Sequence, residues 1–117
     1  MVYDENNIFA KILRKEIPCD KVYEDSVSLF FNDVNPQAKI HVLGIPKFPC
    51  STFSEFTKNA DNEIITSFFK NVQLVINKLN VEKSGYRLIT NSGEDGGQEV
   101  PHFHIHILAG EKIGIIR

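Results

Sequence analysis

Gly96-Gly97-Gln98-Glu99-Val100-Pro101-His102-Phe103-His104-Ile105-His106-Ile107-Leu108 holds three of the four histidines of the chain, at strictly alternate positions. Alternation is the period of a β-strand. If residues 102–108 are extended, His102, His104 and His106 share one face, while Phe103, Ile105 and Ile107 supply hydrocarbon to the other. Pro101 has no N–H to give to a ladder, which suits the first residue of a strand. The strand is therefore expected to begin there, and the glycine-rich stretch before it to be a loop.

Three chemistries compete for such a row. One buried histidine held by a hydrogen bond is ordinary core, but three on one strand face ask for more. A metal site is the second. Neighbours two apart lie ~7 Å from each other along a strand and can share an ion, whereas residues four apart lie ~13 Å from each other, too far for Zn–N bonds of ~2 Å without lying along the sheet. At most two of the row would then share one ion, with His41 or an acid completing the set; His102, His104 and His41 are the set a zinc enzyme would use. The third is metal-free nucleophilic and acid–base chemistry, in which one imidazole attacks while its neighbours orient it and bind an anion. The adjacent glycine loop favours this third reading.

At 117 residues the chain is read as one domain, 1–117, large enough to bury a core. A formal net charge of -2 argues against a nucleic-acid polymer as partner, since such binding needs a basic face to neutralise phosphates. A single nucleotide stays within reach. No apolar run approaches the ~20 residues of a membrane span, and the polar start Tyr3-Asp4-Glu5-Asn6-Asn7 does not resemble a signal peptide, so a cytoplasmic location without membrane contact is expected. Cys19 and Cys50 stand in no paired-ligand spacing and are expected to be free thiols.

Working outward, residues 8–16 carry a short helical stripe at Ile8, Phe9, Ile12 and Leu13, closed by Pro18. Residues 21–24 and 27–32 read as strands around an Asp25-Ser26 turn, and 40–45 as a third strand in which His41 shares a face with Leu43 and Ile45. Thr52-Phe53-Ser54-Glu55 fits a capping box for a short helical turn. A long helix follows, with Ile64, Ile65, Phe68, Phe69, Val72, Val75, Ile76 and Leu79 on one face. Residues 85–91 read as a fourth strand, 92–98 as the glycine loop, and the histidine strand as the fifth. The fold class is α+β: a five-stranded, largely antiparallel sheet with one long helix between the third and fourth strands and a short N-terminal helix.

His102-Phe103-His104-Ile105-His106-Ile107 resembles the His-φ-His-φ-His-φ signature of the histidine triad superfamily, φ being apolar. Four further blocks, Asn32 to Ala38, His41 to Lys47, Gly85 to Ile89 and Gly96 to Gln98, fall in the order and spacing of its Hint branch. The resemblance implies the histidine triad fold, a homodimer whose two sheets join, and hydrolysis of purine nucleoside phosphoramidates such as adenosine 5′-monophosphoramidate, with no cofactor. It implies His104 as the nucleophile that carries the nucleotidyl group, His106 on the phosphate oxygens, and His102 and His41 completing the network that orients the nucleophile. Asn91 and the backbone of Gly97, Gln98 and Glu99 align with positions at the phosphate and leaving group, and Asp33 with the acid that binds the ribose hydroxyls. Phe9, Ile12, Ile17, Phe31, Asn32 and Val34 align with the nucleobase cleft.

The chain departs from animal Hint proteins in carrying Glu99 where they have Ser and Pro101 where they have an aromatic, and its ending, 110–117, lacks their tryptophan. Glu99 is a candidate general acid for a departing amine. Rival expectations are a dinucleoside polyphosphate hydrolase, a zinc-dependent hydrolase, and a non-catalytic nucleotide-binding or scaffold protein.

Overall fold

The structure is a computed structural model and describes residues 2–114; the last part of the tryptophan-free ending, 115–117, lies outside the described residues. The elements are α1 (Ile8–Leu13), β1 (Lys21–Glu24), β2 (Ser28–Asn32), β3 (Ile40–Pro46), α2 (Phe53–Asn59), α3 (Asn62–Lys78), β4 (Tyr86–Ile89) and β5 (Ile105–Ala109). The strands make one sheet in the order β1-β2-β3-β5-β4. Every neighbouring pair is antiparallel. This is the expected α+β arrangement, with the long helix inserted between the third and fourth strands.

Period-two alternation sorts the sheet into two faces. Phe30, Val42, Ile105 and Ile107 point to the face covered by α2 and α3, where Phe56, Phe68, Val72, Val75 and Ile76 complete the larger core. Burying four such side chains of α3 (Phe68, Val72, Val75, Ile76) stabilises the fold by roughly 6 to 12 kcal/mol before chain entropy is counted. Leu29, Phe31, Leu43 and Ile45 point the other way and meet Phe9 and Ile12 of α1. Gly44 stands opposite Phe30, and a Cβ there would lie 2.3 Å from the Phe30 ring, so only glycine lets that ring cross the central strand.

Local signals account for the ends. Asn7 caps α1 by accepting from the Ala10 amide at 2.9 Å. Asp25 Oδ1 accepts from the Val27 and Ser28 amides and closes the β1–β2 turn. Thr52 Oγ1 accepts from the Glu55 amide at 3.1 Å, and Glu55 reaches back to the Ser51 amide, so the capping box starts a full helix, α2. This adds a third helix to the two expected.

β2 and β3 depart from expectation by one residue, at Ser28 and Pro46, and three elements differ by more. α1 stops at Leu13 rather than 16, because Lys15 takes a positive φ of 65° that turns the chain. β4 covers Tyr86–Ile89 rather than 85–91. The histidine strand begins at Ile105, not after Pro101. Ahead of it the amides are spent elsewhere, His102 N on the Val100 carbonyl and Phe103 N on the Cys50 carbonyl. The alternation of faces survives without the ladder. Phe103 packs on Phe56 and Phe68, while His102 and His104 lie edge-on to Phe9 on the α1 side.

Candidate active site

The histidines occupy the α1 face of the sheet, and their partners fix where each proton sits. His104 Nδ1 lies 2.6 Å from the His102 carbonyl. A carbonyl only accepts, so Nδ1 carries the hydrogen and Nε2 keeps its lone pair in the neutral ring. Nε2 has no hydrogen-bond partner among the described residues and is not a buried orphan, so it is open to the cleft. Burial lowers the His104 pKa, against the carbonyl bond and the charges of Asp33 and Glu99, which raise it. Thr90 Oγ1, at the end of β4, donates to the His104 carbonyl at 2.8 Å and holds the backbone where the ladder begins. Phe9 meets the ring edge-on at 4.9 Å.

A second relay runs beside it. The Gln37 amide donates to His41 Nδ1 at 3.0 Å, so a neutral His41 carries its hydrogen on Nε2, which lies 2.9 Å from His106 Nδ1. His106 then holds its own hydrogen on Nε2, in the tautomer that can donate to an anion. Its ring centroid lies 5.0 Å from that of His104. His106 is pushed down to about 4 by burial and by the neighbouring imidazoles His104 and His41, so it is neutral near pH 7. His41 is lowered by burial, with the Asp33 charge opposing.

These groups open on a cleft of about 570 Å³. Phe9, Ile12, Ile17 and Phe31 form its apolar wall, Asn32, Asp33 and Val34 one rim, and Asn91, Gly97 and Glu99 the other, with His41, His104 and His106 as the polar floor. Asp33 Oδ1 accepts from the Asn35 amide at 2.8 Å, a turn contact, while Oδ2 lies 3.4 Å from His41 Nε2.

Three candidates take places other than those expected. The His102 ring is fully buried behind the cleft, with Nε2–H on the Pro46 carbonyl at 2.8 Å, so it is the carbonyl of His102, not its imidazole, that meets His104. Gln98 is turned inward: its side chain joins the Gly93 amide and the Ser51 and Val100 carbonyls, and its own amide bonds the Gly93 carbonyl. The Gly97 amide is likewise spent on the Glu94 carbonyl. The loop builds itself with these donors, and Gly97, at φ 75°, makes the turn that permits it. Within 96–99 that leaves the Gly96 and Glu99 amides without an acceptor among the described residues.

The zinc set His102, His104 and His41 is not assembled. The residues that do come together are Asp33, His41 and His106, with ligand atoms within 4.8 Å of one another. An ion at His41 Nε2 would need the hydrogen moved to Nδ1, against the Gln37 amide that points at it. The donor set therefore fits a hydrogen-bond relay better than a metal.

Sequence reasoning missed Tyr3, Gln37 and Thr90, which hold His102, His41 and His104. No periodicity marks them. Gln37 acts through its backbone, and the one available hint was the Asn35-Pro36 break, which makes a turn with free amides just before β3.

Residues 14–113 match the model of the HIT domain. The chain is 46% identical over 112 residues to an uncharacterized 13.2 kDa HIT-like protein of Azospirillum brasilense, covering 96% of this chain and 92% of that protein. It is 39% identical over 113 residues to the purine nucleoside phosphoramidase of Escherichia coli K12, covering 94% and 92%. Among solved structures, a histidine triad protein from Clostridium difficile superposes with a TM-score of 0.88 at 37% identity, covering 99% of this chain and all of that one. With a shared fold, and with relatives matched over nearly their whole length, the chain belongs to the HIT domain family.

Proposed function

We propose that the protein hydrolyses purine nucleoside phosphoramidates through a nucleotide carried covalently on His104. The observation that carries this reading is the His104 Nδ1–H bond to the His102 carbonyl, which leaves an accessible Nε2 lone pair beside the His106 N–H. The phosphoramidase named among the relatives supports the substrate class.

In the first step Nε2 attacks phosphorus, the P–N bond of the substrate breaks, and the amine leaves with a proton given by Glu99. In the second, water attacks phosphorus and gives a proton back to Glu99, the P–Nε2 bond breaks, and a nucleoside 5′-monophosphate departs as His104 returns to its neutral form. Dividing the reaction this way is what covalent catalysis gains. His106 Nε2–H and the free amides of the loop face the non-bridging oxygens, where charge grows in the transition state. Asn91 adds a side-chain amide. Asp33 takes the ribose hydroxyls, the Phe9–Ile12–Ile17–Phe31 wall with Asn32 and Val34 takes the base, and Glu99 stands on the leaving-group side.

The reading includes one domain, a cytoplasmic setting and a homodimer joined along β4, the edge strand that leaves Tyr86 and Leu88 exposed. Mass spectrometry of protein quenched in alkaline denaturant, which spares the P–N bond, within milliseconds of mixing with adenosine 5′-monophosphoramidate tests the chemistry. A mass increment of one adenylyl group on the peptide containing His104 is expected, absent in His104→Ala. Turnover by wild type with no adduct, or an adduct on another residue, would overturn it.

A further inference from the structure

The bond that orients His104 ends on the carbonyl of His102, a residue outside the sheet ladder. Its own amide turns back to Val100. That carbonyl is held from two sides: the N–H of its own peptide group, at Phe103, donates to the Cys50 carbonyl, and the His102 ring is buried and clamped at both nitrogens. Nε2–H donates to the Pro46 carbonyl, so Nδ1 must accept, and it does so from the Tyr3 hydroxyl at 2.5 Å. The two rings also meet edge to face at 5.6 Å. Tyr3 belongs to the segment ahead of α1, which Asn7 folds back by donating to the Asp4 carbonyl at 2.7 Å while capping the helix. It lies outside residues 14–113 matched by the family model, and it does not line the cleft.

We propose that Tyr3 is a positioning residue for the nucleophile, acting through His102: its hydroxyl holds the buried imidazole, the imidazole holds the residue's carbonyl, and the carbonyl aims His104. The inference rests on the reading of His104 as nucleophile. Without the hydroxyl, His102 Nδ1 is a buried acceptor with no donor, a state that native interiors avoid by shifting. A shift of residue 102 loosens the His104 Nδ1–H bond, and a nucleophile misplaced by a fraction of an ångström loses rate without losing substrate affinity.

The test is Tyr3→Phe in the full chain, with two readouts. In nitrogen-15 NMR of the free protein, the His104 Nδ1–H proton should exchange with water faster than in wild type and shift in frequency. In kinetics with adenosine 5′-monophosphoramidate, kcat should fall by about tenfold at a KM within about twofold of wild type. The acid limb of the kcat/KM profile should move to lower pH, because the carbonyl bond favours protonated His104 while the other groups facing that ring, Asp33, Glu99, His106 and the His102 imidazole, keep their identities. A mere loss of folded protein would scale the profile and leave the limb in place. In a His102→Ala background the added Tyr3→Phe change should have no effect. An unchanged Nδ1–H exchange rate with an unmoved limb would overturn the proposal. The NMR readout decides Tyr3's hold on His104 whether or not wild type turns over phosphoramidates, so failure of the relay and failure of the functional reading are separable.

Discussion

His41 Nε2 and His106 Nδ1 lie 2.9 Å apart on adjacent strands, a diagonal contact, since His41 stands opposite Leu108 and His106 opposite Leu43. The Gln37 amide at the far nitrogen of His41 sets the direction of that bond. One backbone N–H thus decides that His106 presents a donor, and not a lone pair, to whatever anion enters the cleft. His41→Ala removes the decision and leaves His106 free to take either tautomer.

The expected loss in kcat/KM for His41→Ala is between about tenfold and hundredfold, the range of one well-placed hydrogen bond to a charged group. His41→Gln, whose amide can still donate to His106 Nδ1, should lose less. Steady-state kinetics of both variants on one phosphoramidate checks this. Equal losses would show that the donated hydrogen is not what His41 supplies.

Two histidines, buried His102 and half-buried His106, tie stability to pH most strongly. His102 is pushed down to about 4 by burial, and His106 to about 4 by burial and its imidazole neighbours, against an ordinary value of 6.5. Above pH 6.5 these rings are neutral in both folded and unfolded chains, and stability is at its full value. Between 6.5 and about 4 the unfolded chain binds protons that the folded one refuses, so stability falls with falling pH. For fully buried His102 the loss over that window is on the order of 3 kcal/mol. Urea midpoints measured from pH 7.5 to 4 should drop across this window, and the drop should be smaller in His102→Gln. A flat profile would mean that both rings bind protons in the folded chain as they do in the unfolded one.

Much of this was legible in the sequence because period carries it. Alternation in 102–107 assigned the faces correctly, since Phe103, Ile105 and Ile107 do meet the helices. The start of the strand was not legible, because it depends on where β4 ends and on the Cys50 carbonyl taking the Phe103 amide, both distant in sequence. The cleft wall at Phe9, Ile12 and Phe31 could be placed by resemblance, as helical and strand spacing alone make them core, which they also are. Gln98 shows the limit. A glycine loop advertises free amides, but two of those in question are consumed in holding the loop's own shape.

Asp33 touches both the turn and the histidine relay, so its two oxygens have separate duties. Asp33→Asn keeps an oxygen for the Asn35 amide and removes the charge offered to a ribose diol. Ribonucleoside phosphoramidates should lose roughly tenfold or more in kcat/KM, as expected when a charged hydrogen bond is deleted, while 2′-deoxy analogues lose little. The comparison of the two sugars in the same variant is the measurement. Equal losses would assign Asp33 to His41 and remove it from sugar recognition.

Glu99 is the position where chemistry and family resemblance part. It lines the cleft, and its charge acts on His104. A carboxylate about 4 Å from a phosphate charge costs up to about 4 kcal/mol at an effective dielectric near 20. With substrate bound, the side chain must either turn away or take up a proton, and a protonated carboxyl beside the scissile bond can donate to a departing amine. Glu99→Gln keeps the shape and cannot transfer that proton. It should slow phosphoramidates of basic alkylamines by about a hundredfold, the usual range for one general acid, and leave substrates with a good leaving group, which depart as anions, nearly untouched. The ratio of kcat/KM between the two substrate classes at fixed pH reads this directly. If glutamine slows both classes equally, or speeds both, the carboxyl is not the acid. Faster turnover of both would make it a repulsive neighbour of the phosphate, and equal slowing of both would make its side chain purely structural.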